Sequence, residues 1–376
     1  MRATRAIIRL DHLKHNIEQI RRAVRRPDRP CPLVCLAVKA DAYGHGIAPV
    51  GLAAAECGVD YLAVATVDEG VELRDASSRL PILLYGLPTP EEIAPVVTHA
   101  ITPILADAEQ IELVGAEATK QGRQIPVHLK IDTGMGRIGC RPDDAVRLAR
   151  MVEASASLEL GGVCTHFAAS DSGDPAYTNE QIATFETVLA RFRTDGIAPG
   201  IVHAANSGGV LGHAESWYDM VRPGILAYGY YPSDGQERVH DVLPVMELRS
   251  RVVFIKQVEA GDAISYGMTW RAPRRTHIGT IPVGYGDGYN RLLSNRGQVS
   301  INGKRYPVVG RVCMDQLMVD LGAACTVARY DDATLFGYSV GAPSAEDIAE
   351  ICGTIAYEIT CGISKRVPRI YTDGEP

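Results

Sequence analysis

The chain has 376 residues, 46% of them hydrophobic and 22% charged, with a formal net charge of −7. That length exceeds one small domain and suits two domains or a large barrel with an addition, and the lack of a concentrated basic face speaks against nucleic-acid binding. Nine cysteines without a Cys-x-x-Cys pair fit reduced thiols in a cytoplasmic protein better than a disulfide framework, and neither a signal-peptide core nor a run long enough to span a membrane is present.

A short strand at 5–10 comes first, then a helical pattern over 11–24 with Leu13, Ile17 and Ile20 on one face and Asp11 as N-cap. A basic, proline-containing connector follows. From Leu33 a rhythm sets in. Apolar strand candidates fall at 33–38, 61–65, 81–84, 101–104, 127–131, 158–164, 201–204 and 220–228. Helical patterns at 48–57, 67–73, 91–97, 107–119, 143–154 and 179–192 lie between them, the last with Thr178 as its cap. Eight alternating units predict a closed (β/α)8 barrel of parallel strands. After residue 232 the rhythm stops, and short β runs dominate from Pro244, with Asn302-Gly303 as a hairpin turn and one helix at 344–352. The expected domains are therefore a barrel over 11–235 and a β domain over 236–376.

In such a barrel the C-terminal strand ends build the active site. Here those ends carry Lys39, Lys130 with Asp132, His166, Asn206 with Ser207, and Arg222. Desolvation at the end of a buried strand disfavours an ammonium, which makes Lys39 a candidate amine nucleophile or base. A lysine leaving a strand for solvent gives the same pattern, His166 also reads as a core histidine, and Lys130 reads as a structural ion-pair partner. Together these groups outline one convergent polar pocket. The turn after Lys130 presents Arg137, whose guanidinium suits a carboxylate. Asn206-Ser207-Gly208-Gly209 and Arg222-Pro223-Gly224-Ile225 offer backbone amides for a phosphate. In the β region, the stretches around Tyr266, Tyr285 and Met314-Asp315 are more polar than a plain fold needs. Turn chemistry explains their glycines but not a tyrosine at an exposed turn. No metal ligand set is expected.

These segments together resemble the alanine racemase family. The matches are Ala37-Val38-Lys39-Ala40-Asp41-Ala42-Tyr43-Gly44-His45-Gly46, the stretch from Lys130 to Arg137, Thr165-His166-Phe167-Ala168, Ala205-Asn206-Ser207, Val221-Arg222-Pro223-Gly224-Ile225, Ser265-Tyr266-Gly267, Cys313-Met314-Asp315-Gln316 and Tyr357-Glu358-Ile359. They stand in family order over nearly the whole chain. The family's fold is a barrel followed by a β domain that the first few residues join, so residues 1–10 are expected there.

The resemblance implies pyridoxal 5′-phosphate held as a Schiff base on Lys39, with Tyr43, Ser207, Gly224, Ile225 and Tyr357 around its phosphate. It implies that Arg222 partners the ring nitrogen within a network that includes His166. Arg137 and the backbone at Met314 are implied to hold the alanine carboxylate, with Asn206, Tyr285 and Asp315 in support. Lys130 matches a position that is often carbamylated. Tyr266 is implied to be a second base opposite Lys39, contributed across a homodimer with shared active sites. Racemisation asks for two bases on opposite faces of the α-carbon. A phenol near its ordinary pKa of about 10 needs a positive neighbourhood to act as one. Competing readings are a broader or serine-type racemase, a barrel decarboxylase that needs no tyrosine base, and a non-catalytic cofactor carrier, against which the β domain speaks.

Overall fold

The chain opens with strand β1 (Arg5–Arg9) and the helix Leu10–Ala23. Runs such as Val34-Cys35-Leu36-Ala37 come next. They are apolar on both faces, so each needs neighbours on either side and cover above and below. In the computed structural model, which describes residues 2–233, 238 and 240–374, eight such runs close on one another. They are β2 (Leu33–Ala37), β3 (Tyr61–Val64), β4 (Ile82–Leu84), β5 (Ile101–Leu105), β6 (Ile125–Lys130), β7 (Leu158–Cys164), β8 (Ile201–His203) and β9 (Met220–Val221). All pair in parallel, and β9 returns to β2 through Leu33↔Met220 and Val34↔Val221. The predicted (β/α)8 barrel is thus present.

Alternation along the strands divides the side chains between two sides. Cys35, Ala63, Leu83, Ile104, Cys164 and Met220 form one buried cluster that fills the barrel. Their outward neighbours Leu36, Leu62, Leu129 and Val163 pack beneath the surrounding helices. Each such aliphatic side chain removed from water contributes about 1.5–3 kcal/mol.

Several predicted boundaries shift for identifiable reasons. The eighth barrel strand stops at Val221, because Pro223 has no N–H to donate to a ladder. The chain then bends into a short 3-10 turn, Ile225–Tyr228. The helix expected to begin after Thr178 starts at Ala176, just past Pro175, so Thr178 is a buried helical residue and not a cap. Asp11 lies inside the first helix, where its carboxylate accepts from Arg9 Nε at 2.7 Å and Arg9 Nη2 at 2.6 Å. The expected junction between residues 235 and 236 lies outside the described residues.

Beyond the barrel, a six-stranded sheet runs in the order Lys304–Pro307, Gln298–Ile301, Asp332–Phe336, Met246–Arg251, β1, Arg369–Thr372. The first strand thus sits inside a sheet otherwise built from the last third of the chain. A three-stranded sheet combines Phe254–Val258, Thr276–Ile281 and Leu317–Gly322. Asn302 and Gly303, at φ 52° and 77°, make the expected hairpin. A second helix that sequence periodicity did not reveal, Ala356–Cys361, follows Ala345–Cys352 and leans on the barrel mouth. Among the described residues, no helix is long and apolar enough to cross a membrane.

Candidate active site

Lys39 stands two residues past the first barrel strand, and the four residues after it turn the wrong way. Ala40, Asp41, Ala42 and Tyr43 all take φ between 52° and 55°, one turn of left-handed helix. Non-glycine residues pay about 1–2 kcal/mol each for this conformation, so surrounding contacts must hold it. The Asp41 carboxylate accepts from the Ile47 N–H at 2.8 Å. Arg369 donates to the Gly44 carbonyl at 3.0 and 3.1 Å. His45 Nδ1 donates to the carbonyls of Ala42 and Tyr43, both at 3.0 Å. The turn aims Lys39 and Tyr43 into one cavity.

Arg222 lies at the base of that cavity, 6% exposed. Its guanidinium donates to the carbonyls of Thr165 (2.8 Å) and Ala204 (2.9 Å), to His166 Nδ1 (3.2 Å) and to His203 Nδ1 (2.7 Å). Every acceptor is neutral. Because an arginine only donates, His203 must keep its proton on Nε2, which donates a hydrogen bond to His128 Nδ1 at 2.8 Å. Burial, and then the Arg222 charge, push His128 down to about 3 and hold His166 and His203 well below the usual histidine range. A cation fixed by uncharged partners therefore faces the cavity. It cannot hand a proton to a ring nitrogen.

On the opposite wall, Ser207 Oγ accepts from the N–H groups of Gly224 (2.9 Å) and Leu226 (3.4 Å), and Asn206 Oδ1 accepts from the Gly209 N–H at 3.0 Å. A Cβ at Gly224 would stand 2.5 Å from Tyr43 Oη, so any larger residue there would displace that phenol. Tyr43 and Tyr357 close this end with ring centroids 5.8 Å apart. Burial raises both phenols, so both remain hydroxyl donors. The cavity of about 360 Å³ also takes in Ile225, Lys130 and Arg137. Lys130 is 7% exposed and makes no ion pair among the described residues. Burial first, then the charges of Arg222 and Arg137, lower its pKa against the opposing effect of Cys164. An ammonium, hydroxyl and amide donors, and a guanidinium held by neutral groups thus converge in a space that fits a small phosphorylated ring.

The model for "Alanine racemase, N-terminal domain" matches residues 8–232, and that for "Alanine racemase, C-terminal domain" matches residues 245–371. The chain belongs to the alanine racemase family. It is 47% identical over 380 residues to an alanine racemase of Treponema denticola, covering 99% of each chain. It is 42% identical over 368 residues to that of Desulfovibrio desulfuricans, covering 98% of each. Among solved structures, an alanine racemase of Clostridium difficile 630 superposes with a TM-score of 0.93 at 36% identity, with 99% and 96% of the two chains covered. The Bacillus anthracis alanine racemase with bound L-Ala-P gives 0.91 at 36% identity, covering 99% and 95%.

Within this alanine racemase fold, eleven of the residues singled out from sequence line the cavity, Lys39, Tyr43, Lys130, Arg137, His166, Asn206, Ser207, Arg222, Gly224, Ile225 and Tyr357. Four do not. Tyr266, Tyr285, Met314 and Asp315 stand on turns of the β region, outside the cavity, with Tyr266 72% and Met314 52% exposed. Ser265 Oγ donates to the Arg311 carbonyl at 2.6 Å, and the Gly286 N–H donates to the Met314 carbonyl at 2.9 Å, so these turns are tied together. Arg366 donates to Asp315 at 2.6 Å. Sequence reading missed His128, His203 and Tyr85. The signal was present, since His128 shares a strand face with Lys130, two residues on, and His203 lies inside an apolar run buried on both faces.

Proposed function

We propose that this chain interconverts L- and D-alanine by moving the α-proton between two protein bases, with pyridoxal 5′-phosphate as cofactor. The observation that carries the reading is Arg222, a buried guanidinium bonded only to neutral acceptors at the base of a cavity whose rim carries Lys39. Tyr43, Ser207, Tyr357 and the amides of Gly224 and Ile225 would hold the cofactor phosphate, and Arg222 would partner its ring nitrogen. When bound, the cofactor supplies the electron withdrawal that acidifies the substrate α-C–H. Arg222 keeps its proton and moderates that withdrawal, which favours prompt return of the α-proton over side reactions. Arg137 grips the substrate carboxylate. Lys39 Nζ takes or gives the α-proton on one face, and Tyr266 Oη does so on the other. Lys130, buried beside two arginines, is carbamylated and so supplies the anion that neighbourhood lacks.

Tyr266, Tyr285 and Met314 are exposed on the β region, and exposed apolar groups on tied turns mark an interaction surface. They fit a homodimer in which each copy completes the other's cavity, Tyr266 as base and the Met314 backbone toward the carboxylate, with Asp315 and Asn206 in support. The division into a barrel over 11–235 and a β domain over 236–376 joined by residues 1–10 accords with this arrangement. A cytoplasmic location accords with the free cysteines.

The test is racemisation in deuterated water with each enantiomer of alanine and of serine. Alanine should racemise with α-deuterium uptake in both directions, and serine should not keep pace. Absence of α-deuterium exchange with alanine rejects the reading. A refolded equal mixture of Lys39→Ala and Tyr266→Phe chains should recover about a quarter of the wild-type rate, because half the dimers carry one intact shared site. No recovery rejects the sharing.

A further inference from the structure

Arg137 must meet a carboxylate, yet its exposed guanidinium has no hydrogen-bond partner among the described residues. Its position is therefore the position of the turn that carries it. That turn is closed internally by Asp132, whose carboxylate accepts from the N–H groups of Gly134 (2.9 Å) and Gly136 (3.1 Å). Two links fix it to the rest of the barrel, the Thr133–Thr165 hydroxyl contact and the helix Ala176–Thr194.

Tyr177 and Gln181 sit one turn apart on that helix, on the same face. Tyr177 Oη donates to the Gly134 carbonyl at 2.8 Å. Gly134 has φ +136°, and a Cβ there would stand 2.7 Å from the same hydroxyl. Gln181 is 1% exposed and uses both ends of its amide. Its Oε1 accepts from the Ala168 N–H at 2.9 Å, and its Nε2 donates to the His166 carbonyl at 3.1 Å and to Thr133 Oγ1 at 3.3 Å. Thr133 Oγ1 in turn lies 2.7 Å from Thr165 Oγ1.

We propose that Gln181 is a positioning residue that locks the Arg137 turn to the strand end carrying His166. One side chain thereby sets the spacing between the carboxylate-binding guanidinium and the group that accepts from Arg222. The Thr133–Thr165 hydroxyl contact, with Thr165 also 1% exposed, is a second tie between the two loops, and Gln181 braces it by bonding to Thr133 as well as to the backbone at His166 and Ala168. A buried amide with all its bonds made is costly to disturb, and loss of one partner strands the others. Tyr177 is the weaker half of the clamp, since it touches only the Arg137 turn.

The inference rests on the roles proposed for Arg137 and His166, so its test has a readout independent of turnover. Hydrogen–deuterium exchange and steady-state kinetics are measured on the holoenzyme for Gln181→Met, Gln181→Glu and Tyr177→Phe. Gln181→Met should accelerate amide exchange in both 132–139 and 165–169 while leaving 201–224 unchanged. It should raise KM for alanine about tenfold with a smaller loss in kcat. Tyr177→Phe should affect 132–139 alone. Gln181→Glu keeps the acceptor for Ala168 and, once protonated, regains one donor, so its KM should fall toward wild type as pH is lowered from 8 to 6 (pH values of about that range, chosen for a carboxyl raised by burial). Gln181→Met should show no such recovery. Wild-type exchange at both turns, or a lower melting temperature with unchanged KM, overturns the proposal. Should alanine fail as substrate, the exchange pattern alone decides the clamp.

Discussion

Lys130 is a residue whose surroundings ask for a charge it does not carry. Its amine is buried, without an ion-pair partner among the described residues, and Arg222 and Arg137 both push its pKa down. A lowered pKa leaves more neutral amine at a given pH, and the neutral amine is the nucleophile toward carbon dioxide. The ammonium loses one proton to give that amine, whose attack forms an N–C bond and releases a second, so a disfavoured cation becomes an anion near two guanidiniums. Protein equilibrated with carbon-13-labelled bicarbonate should show a slowly exchanging carbamate resonance that vanishes in Lys130→Met. An unlabelled wild-type spectrum would remove the modification from the site. The strand-end position of Lys130 was legible in the sequence, but the absence of a carboxylate partner was not. That absence depends on where the loops after the seven other barrel strands fold.

At the scale of elements, the left-handed turn Ala40–Tyr43 is the least self-sufficient piece of the site. Nothing in Lys-Ala-Asp-Ala-Tyr announces four consecutive positive φ values, because alanine avoids that region when free to choose. The conformation is imposed from outside. Arg369 donates to Gly44, Ile363, Ser364 and Val367, bridging the turn to the segment after the helix Ala356–Cys361. Arg369→Met should destabilise the protein by about 2–4 kcal/mol in urea unfolding, given several charge-assisted bonds lost at once. It should also weaken retention of the cofactor proposed to sit on Lys39, read as loss of a bound chromophore on dialysis. Equal stability with full retention would show that the turn stands without its strap. The bridging helix itself escaped sequence analysis because six residues hold too few turns for a period to register. Seven barrel strands registered because they are largely buried apolar runs, whereas the eighth, read over 220–228, ends at Val221.

For the molecule as a whole, buried neutral histidines tie stability to acidity. His45 is pushed down to about 4 and His128 to about 3, in both cases chiefly by burial, and His166 and His203 lie well below the ordinary range. The unfolded chain protonates these groups near pH 6.5, whereas the folded chain does not. Their contribution is therefore complete above about pH 6.5 and is lost as pH falls toward the folded values. The slope approaches about 1.4 kcal/mol per pH unit for each histidine. Urea unfolding between about pH 7.5 and 5.5 should show this decline, and His128→Gln should flatten it by one proton. A protein that gains stability on acidification through this window would contradict the neutral assignment of the Arg222 network.

The placement of β1 also governs when the protein can finish folding. All eight barrel strands have been synthesised by Val221, and their neighbours in sequence are their neighbours in space. The first strand must wait. Its partners are Met246–Arg251 on one side and Arg369–Thr372 on the other, so Ile7 and Ile8 gain one neighbour only after Arg251 has been made and the second only after Thr372. Pairing across almost the full chain length is slow, and an apolar strand waiting for it is an aggregation hazard. The same late event draws Arg369 onto the turn after Lys39. The strap that shapes the loop after Lys39 thus arrives only once Arg369 has been made, so the barrel strands alone do not give the cavity its final shape.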